Sequence, residues 1–128
     1  MRPSGLVAAA MLIAAPAAMA QSFGSRTHFT EQGGAAIYAG VCAACHMPDG
    51  LGASGAGRYP SLAHDARLAA EAYPIGVVVQ GQRAMPGFAE TLSDQQIAEV
   101  ITYVRTHFGN AYADGVTPAQ VAAARPSR

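Results

Sequence analysis

Lysine is absent from this 128-residue chain, and its eight arginines are matched by eight acidic residues. A basic surface for nucleic acid or anionic lipid is therefore excluded, and long-range steering toward an acidic partner is weak. A specific partner must be held by close contacts. Only two cysteines are present, too few for a structural zinc site, and no paired-histidine motif follows them. The chain also lacks a long alternating β pattern, although Val77-Val78-Val79 has strand propensity on its own. Its most apolar run, residues 6–15, is short for a membrane span.

That run belongs to the first recognisable signal. Arg2 gives a positive start, residues 6–15 are apolar and alanine-rich, and Ala18-Met19-Ala20 offers small residues for cleavage before Gln21. Residues 1–20 read as an export signal peptide, which places the mature chain in the periplasm. The alternative is an uncleaved anchor, since charge is sparse on both flanks. Without Arg2 the mature chain has seven arginines against eight acids, a net charge near −1. Residues 21–30 are polar without a period and read as an N-terminal arm. One domain is expected over 31–110, followed by a C-terminal extension over 111–128.

Both cysteines lie in Cys42-Ala43-Ala44-Cys45-His46, the spacing that attaches a c-type haem. On a helix, residues three and four apart share a face. Both thiols can then reach the vinyl groups along one porphyrin edge, and His46 can set an imidazole nitrogen on the iron. A thioredoxin-like pair would open a helix after a strand in a βαβ setting, which this sequence lacks. A disulfide between residues three apart closes a very small loop and constrains the unfolded chain little. A domain this small also gains from a large apolar cofactor that supplies core the polypeptide cannot.

The remaining elements are short. Residues 33–41 predict a helix leading into the pentapeptide, with Ile37, Tyr38 and Val41 apolar and glycines that make it depend on tertiary packing. Residues 47–60 hold four glycines, at 50, 52, 55 and 57, and read as a loop. Short helices are expected over 65–72 and 74–80, with Pro74 in a first turn and Gly81 at the end. The strongest helix follows Ser93, a cap with Gln96 three residues on. Ile97, Val100, Ile101, Val104 and Phe108 form its apolar stripe, and Gly109 stops it. Thr117 and Pro118 begin a short helix in the extension. The expected fold class is all-α.

On these residues the chain resembles the small bacterial class I c-type cytochromes, over about residues 33–110. The resemblance rests on the pentapeptide, on Gly34 and Tyr38, on Pro60-Ser61-Leu62, on Met85-Pro86-Gly87-Phe88 and on the final helix. It implies a class I cytochrome c fold of short helices and loops wrapped around one covalently bound haem c, with the first and last helices crossing. It also implies Met85 as the second iron ligand. Met47, one residue beyond His46, has at most about 3.6 Å of chain in which to round the ring, whereas Pro86 favours an extended backbone at Met85. His28, His64 and His107 are the alternative ligands. By the same resemblance the Pro60 carbonyl accepts a hydrogen bond from the second His46 nitrogen, and Leu62 contacts the haem. Arg58, Tyr59 and Arg83 are candidates for the haem propionates or are solvent-facing.

Iron held by histidine and methionine has no free site, so the implied function is electron transfer. The expected partners are a periplasmic dehydrogenase as donor and a cytochrome or terminal oxidase as acceptor, with the chain either a shuttle or a dehydrogenase's cytochrome subunit. No nucleic acid is expected, and a membrane only through a partner or an uncleaved signal. A different class, a small peroxidase-like haem enzyme, would need an open or displaceable sixth site.

Overall fold

The computed structural model describes residues 28–55 and 57–127; the segment read as a signal peptide and most of the arm lie outside them. A continuous helical stretch comes first: α1 (Gly34–Ile37), a π-helical turn (Tyr38–Cys42) and α2 (Ala43–His46). The sequence predicted an ordinary α-helix here. The wider turn occurs around Gly40, where the Glu31 side chain lies so close that an added Cβ would stand 2.9 Å from its Oε1. Glycine has little intrinsic preference for the α form. Such bulges are common beside functional residues, and this one ends on Cys42.

The glycine-rich loop contains a minimal antiparallel ladder, β1 (Ala53–Ser54) with β2 (Arg58–Tyr59), in the register Ala53 to Tyr59 and Ser54 to Arg58. Two residues per strand leave the molecule mostly helical. In place of a helix over 65–72 there is a single 3₁₀ turn, Ala66–Ala69. The Asp65 carboxylate accepts from the Arg67 N–H (3.0 Å) to start it, and Ala70 is extended and ends it. The next helix, α3 (Ala72–Gln80), begins two residues earlier than expected and takes in the three valines. Pro74 fits because first-turn amides have no intrahelical acceptor.

The longest helix is α4 (Asp94–Thr106). Ser93 Oγ accepts from the Gln96 N–H (3.2 Å), and the Gln96 side chain accepts from the Ser93 N–H (2.9 Å). Ile97, Val100, Ile101 and Val104 are buried as the stripe requires. Phe108 is not on it. The helix ends at Thr106, His107 is extended, and Phe108 has a left-handed backbone (φ 58°) that turns its ring toward Tyr38, 4.8 Å between centroids. Helix α1 crosses α4 at Gly34, where an added Cβ would stand 2.4 Å from the Glu99 carbonyl oxygen and 2.6 Å from Tyr103 Cβ. Tyr38 packs on Tyr103 one turn further along (5.7 Å).

The core continues into the extension. Helix α5 (Pro118–Ala124) packs on α3 and α4 and buries Val121 completely, and Val116 joins the same cluster. At the other end the Phe29 amide donates to the Thr91 carbonyl (3.3 Å), so the packed unit starts before residue 31. Arg105, only 1% exposed, ties these parts together. Its guanidinium donates to the carbonyls of Leu68 (2.9 Å), Ala69 (3.1 Å) and Asp114, and to the Asp114 carboxylate (3.1 Å). A buried charge is tolerated only with such a full set of partners. Among the described residues no helix is long and apolar enough to cross a membrane.

Because backbone faces backbone at the α1/α4 crossing, Gly34→Ala should cost about 1–3 kcal/mol. Thermal and denaturant unfolding of the holoprotein measures this, and a change within about 0.5 kcal/mol, ordinary for a surface site, would contradict the crossing.

Candidate functional site

His46 ends α2 and is 8% exposed. Its Nδ1 lies 2.9 Å from the Pro60 carbonyl oxygen. A carbonyl can only accept, so Nδ1 carries the proton and Nε2 keeps a lone pair for a metal. The turn after His46 is held from several sides. Met47 takes a left-handed backbone (φ 65°), its carbonyl accepts from the Tyr38 hydroxyl (2.8 Å), and the His46 carbonyl accepts from the Gly52 N–H (3.0 Å). Tyr38 thereby links the first helix to the histidine turn. Burial, then the neighbouring Cys42, Asp49 and Tyr103, push its phenol up to about 12, so it stays a donor.

Pro60 is brought to His46 by close packing within the loop. At Gly52 (φ 69°) an added Cβ would stand 2.2 Å from the Tyr59 carbonyl oxygen and 2.7 Å from the Pro60 carbonyl carbon. The Leu62 N–H donates to the Gly50 carbonyl (2.7 Å), and the Leu62 carbonyl accepts from Asn110 Nδ2 (2.8 Å). Asn110 also donates to the Val104 carbonyl (2.9 Å), while its Oδ1 accepts from the Asp65 N–H (2.9 Å). This buried amide fastens the proline loop to the end of α4. Sequence reasoning passed over it; the signal available was a polar residue directly after the helix-stopping Gly109.

Cys42 is half-buried, Cys45 is exposed, and both thiols are free. Burial, then Cys45, pushes the Cys42 thiol up to about 11. Met85 is half-buried in a turn in which Gln82 and Met85 exchange both backbone hydrogen bonds (3.0 Å each). That turn is pressed on the end of α3. Gly81 (φ 80°) would meet the Met85 carbonyl oxygen at 2.7 Å and Gly87 the Gln80 carbonyl carbon at 2.7 Å if either bore a Cβ, and the Phe88 N–H donates to the Val78 carbonyl (2.8 Å). The thioether is thus carried on a braced turn and not on a helix.

Two of the three alternative histidines are otherwise engaged. His107 stacks on Tyr103 (3.9 Å) with Nδ1 2.8 Å from the Tyr103 carbonyl oxygen; His64 lays its ring over Gly109, and His28 is exposed. Arg58, Tyr59 and Arg83 are all exposed, and among the described residues neither arginine has an ion-pair partner. Two shallow depressions of about 320 Å³ lie elsewhere, one over α4 beside Gly34 and the other between α3 and α5.

A family profile described as "Cytochrome C oxidase, cbb3-type, subunit III" matches residues 30–104. The chain belongs to this cytochrome c family. The fructose dehydrogenase cytochrome subunit of Gluconobacter japonicus is 37% identical over 95 residues, 62% of this chain and 19% of that protein. The gluconate 2-dehydrogenase cytochrome c subunit of Pantoea cypripedii is 34% identical over 109 residues, 74% of this chain and 24% of its own length. Cytochrome c6 of Thermosynechococcus vestitus is 35% identical over 101 residues, 77% of this chain and 82% of its own. The chain therefore spans about a quarter or less of these two dehydrogenase subunits and matches most of cytochrome c6. It is a cytochrome c domain of the electron-carrier kind, and its paired cysteines imply one covalent haem c. The donor set fits that group, with two unpaired thiols one turn apart beside a buried imidazole whose second nitrogen is fixed.

Gly52→Ala should force the 59–60 segment away from His46. Exchange of the His46 Nδ1 proton, followed by NMR in the reduced protein, should accelerate by about tenfold or more, the scale of one hydrogen bond lost; an unchanged rate would show that Gly52 does not set this contact.

Proposed function

We propose that this cytochrome is a periplasmic one-electron carrier whose haem c is attached through Cys42 and Cys45 and ligated by His46 and Met85. The observation that carries the reading is the 2.9 Å contact between His46 Nδ1 and the Pro60 carbonyl, which leaves Nε2 as the donor. When bound, the haem supplies a reversible change between ferric and ferrous iron. His46 gives a neutral imidazole of fixed tautomer, and the Pro60 carbonyl raises its basicity. Met85 adds a soft thioether that favours the ferrous state and closes the site to small ligands. Leu62, half-buried beside the proline, contributes apolar wall. Arg58 and Arg83 are free to meet the propionates.

A periplasmic dehydrogenase fits as donor, since relatives are named as cytochrome subunits of dehydrogenases, and a cytochrome or terminal oxidase fits as acceptor. The cytochrome works either as a shuttle or as one domain of such a complex. Export rests on the residue 1–20 pattern. Co-purification with a dehydrogenase after gentle lysis supports the subunit role, and recovery as a free monomer supports the shuttle.

Met85→Ala should abolish the thioether-to-iron charge-transfer band of the oxidised protein. It should also lower the midpoint potential by roughly 0.1 V, within the roughly 0.8 V that axial ligands span. An unchanged spectrum rejects Met85 as ligand. Carbon monoxide should bind the reduced wild type slowly and incompletely at neutral pH; rapid, complete binding would favour the peroxidase-like reading.

A further inference from the structure

The family match ends at residue 104, yet the chain beyond it touches both ends of the loop that carries Met85. Before that loop, Gln80 Nε2 donates to the Ala124 carbonyl (3.5 Å). After it, the guanidinium of the next residue, Arg125, donates to the carbonyls of Ala89 and Leu92 (3.0 Å for the latter) and pairs with Asp94 (2.5 Å). Ala89 lies within, and Leu92 closes, the turn in which the Phe88 carbonyl accepts from the Thr91 (3.0 Å) and Leu92 (2.9 Å) amides. One planar cation thus joins the exit of the Met85 loop to the start of α4.

Arg125 is itself held in place. Thr117 and Gln120 form a capping box at the head of α5, Pro118 occupies its first turn, and Val121 is fully buried against the domain. The arginine side chain is 25% exposed and Asp94 36%, so the ion pair alone contributes little. Donation to two carbonyls that, among the described residues, accept from no backbone amide matters more, because hydrogen bonds from a charged donor are stronger than neutral ones.

We propose that Arg125 is a positioning residue for Met85, so that the C-terminal extension acts as a strut keeping the thioether loop closed. This rests on the reading of Met85 as the sixth ligand. The loop's other restraints are the short Gln82–Met85 ladder, the close approach of Gly81 to Met85 and of Gly87 to the end of α3, the Phe88 N–H on the Val78 carbonyl, and the Phe29 N–H on the Thr91 carbonyl. Among the described residues, Arg125 adds the one side-chain cation that holds its exit, on the Ala89 and Leu92 carbonyls. Without it, the 85–92 segment lifts more often and an external ligand competes better with the thioether.

The test is imidazole titration of the ferric full-length holoprotein at neutral pH, under conditions where every variant is folded. Arg125→Ala should keep the charge-transfer band before imidazole is added, yet bind imidazole about tenfold or more tightly than wild type, the scale of one charged hydrogen bond lost. Arg125→Lys should fall between, because a compact ammonium cannot reproduce the fork. Equal affinities in wild type and Arg125→Ala would overturn the strut. Met85→Ala separates the two claims: an unchanged spectrum there rejects Met85 as ligand, whereas a lost band with an unaltered Arg125→Ala rejects the strut alone. Should Arg125→Ala fail to fold, amide exchange in Arg125→Lys, which keeps the charge and loses the fork on the two carbonyls, decides. Faster exchange at Phe88 and Leu92, with Val100 and Ile101 unchanged, supports positioning; uniform acceleration means a merely structural role and overturns it.

Discussion

Everything about the site depends on how closely α1 can approach α4. With hydrogen in place of a side chain at Gly34, the two helices meet backbone against backbone. That contact sets Tyr38, one turn on, between Tyr103 and Phe108, with its hydroxyl on the Met47 carbonyl. The His46 turn is thus located by a helix crossing several residues upstream. A larger residue at 34 would shift the whole first helix and, with it, both cysteines and the histidine.

Around this fixed point the structure relies on loops braced by polar groups and not on a large apolar core. Asn110 joins the Pro60 loop to α4, Arg105 joins the 66–69 turn to the extension, and Arg125 joins the extension to the segment after Met85. Each donates to backbone carbonyls at loop corners or a helix end, where ladder partners run out. The glycines at 52, 81 and 87 do the complementary work of letting loop backbone approach loop or helix backbone. Under the proposed ligation by Met85, rigid placement of the thioether suits electron transfer, because little should move when the iron changes oxidation state.

Much of this was legible in the residues. The pentapeptide at 42–46, the cap at Ser93 with its stripe, and the cap at Thr117 followed by Pro118 are local patterns whose physical causes act within one or two turns. Phe108 was misplaced because its stripe position assumed the helix ran on to Gly109, whereas the backbone reverses one residue sooner. The turn at 66–69 came out shorter than expected and α3 longer, since propensity does not fix where a short helix stops. The π turn ending on Cys42 and the small ladder at 53–59 had no local signature. Arg105, Asn110 and Arg125 looked like ordinary polar residues, for nothing near them in sequence shows that they reach carbonyls 36, 48 and 36 residues away.

The sequence by itself determined the helical class, the attachment motif with its adjacent imidazole, and membership of the cytochrome c family, because these depend on spacings of three and four residues along one helix. Only the tertiary structure decided which carbonyl fixes His46, how the Met85 loop is braced, and that the C-terminal extension is part of the same packed unit. Those outcomes require groups distant in the chain to meet, and a hydrogen bond has no pattern in sequence until the fold has brought its two ends together.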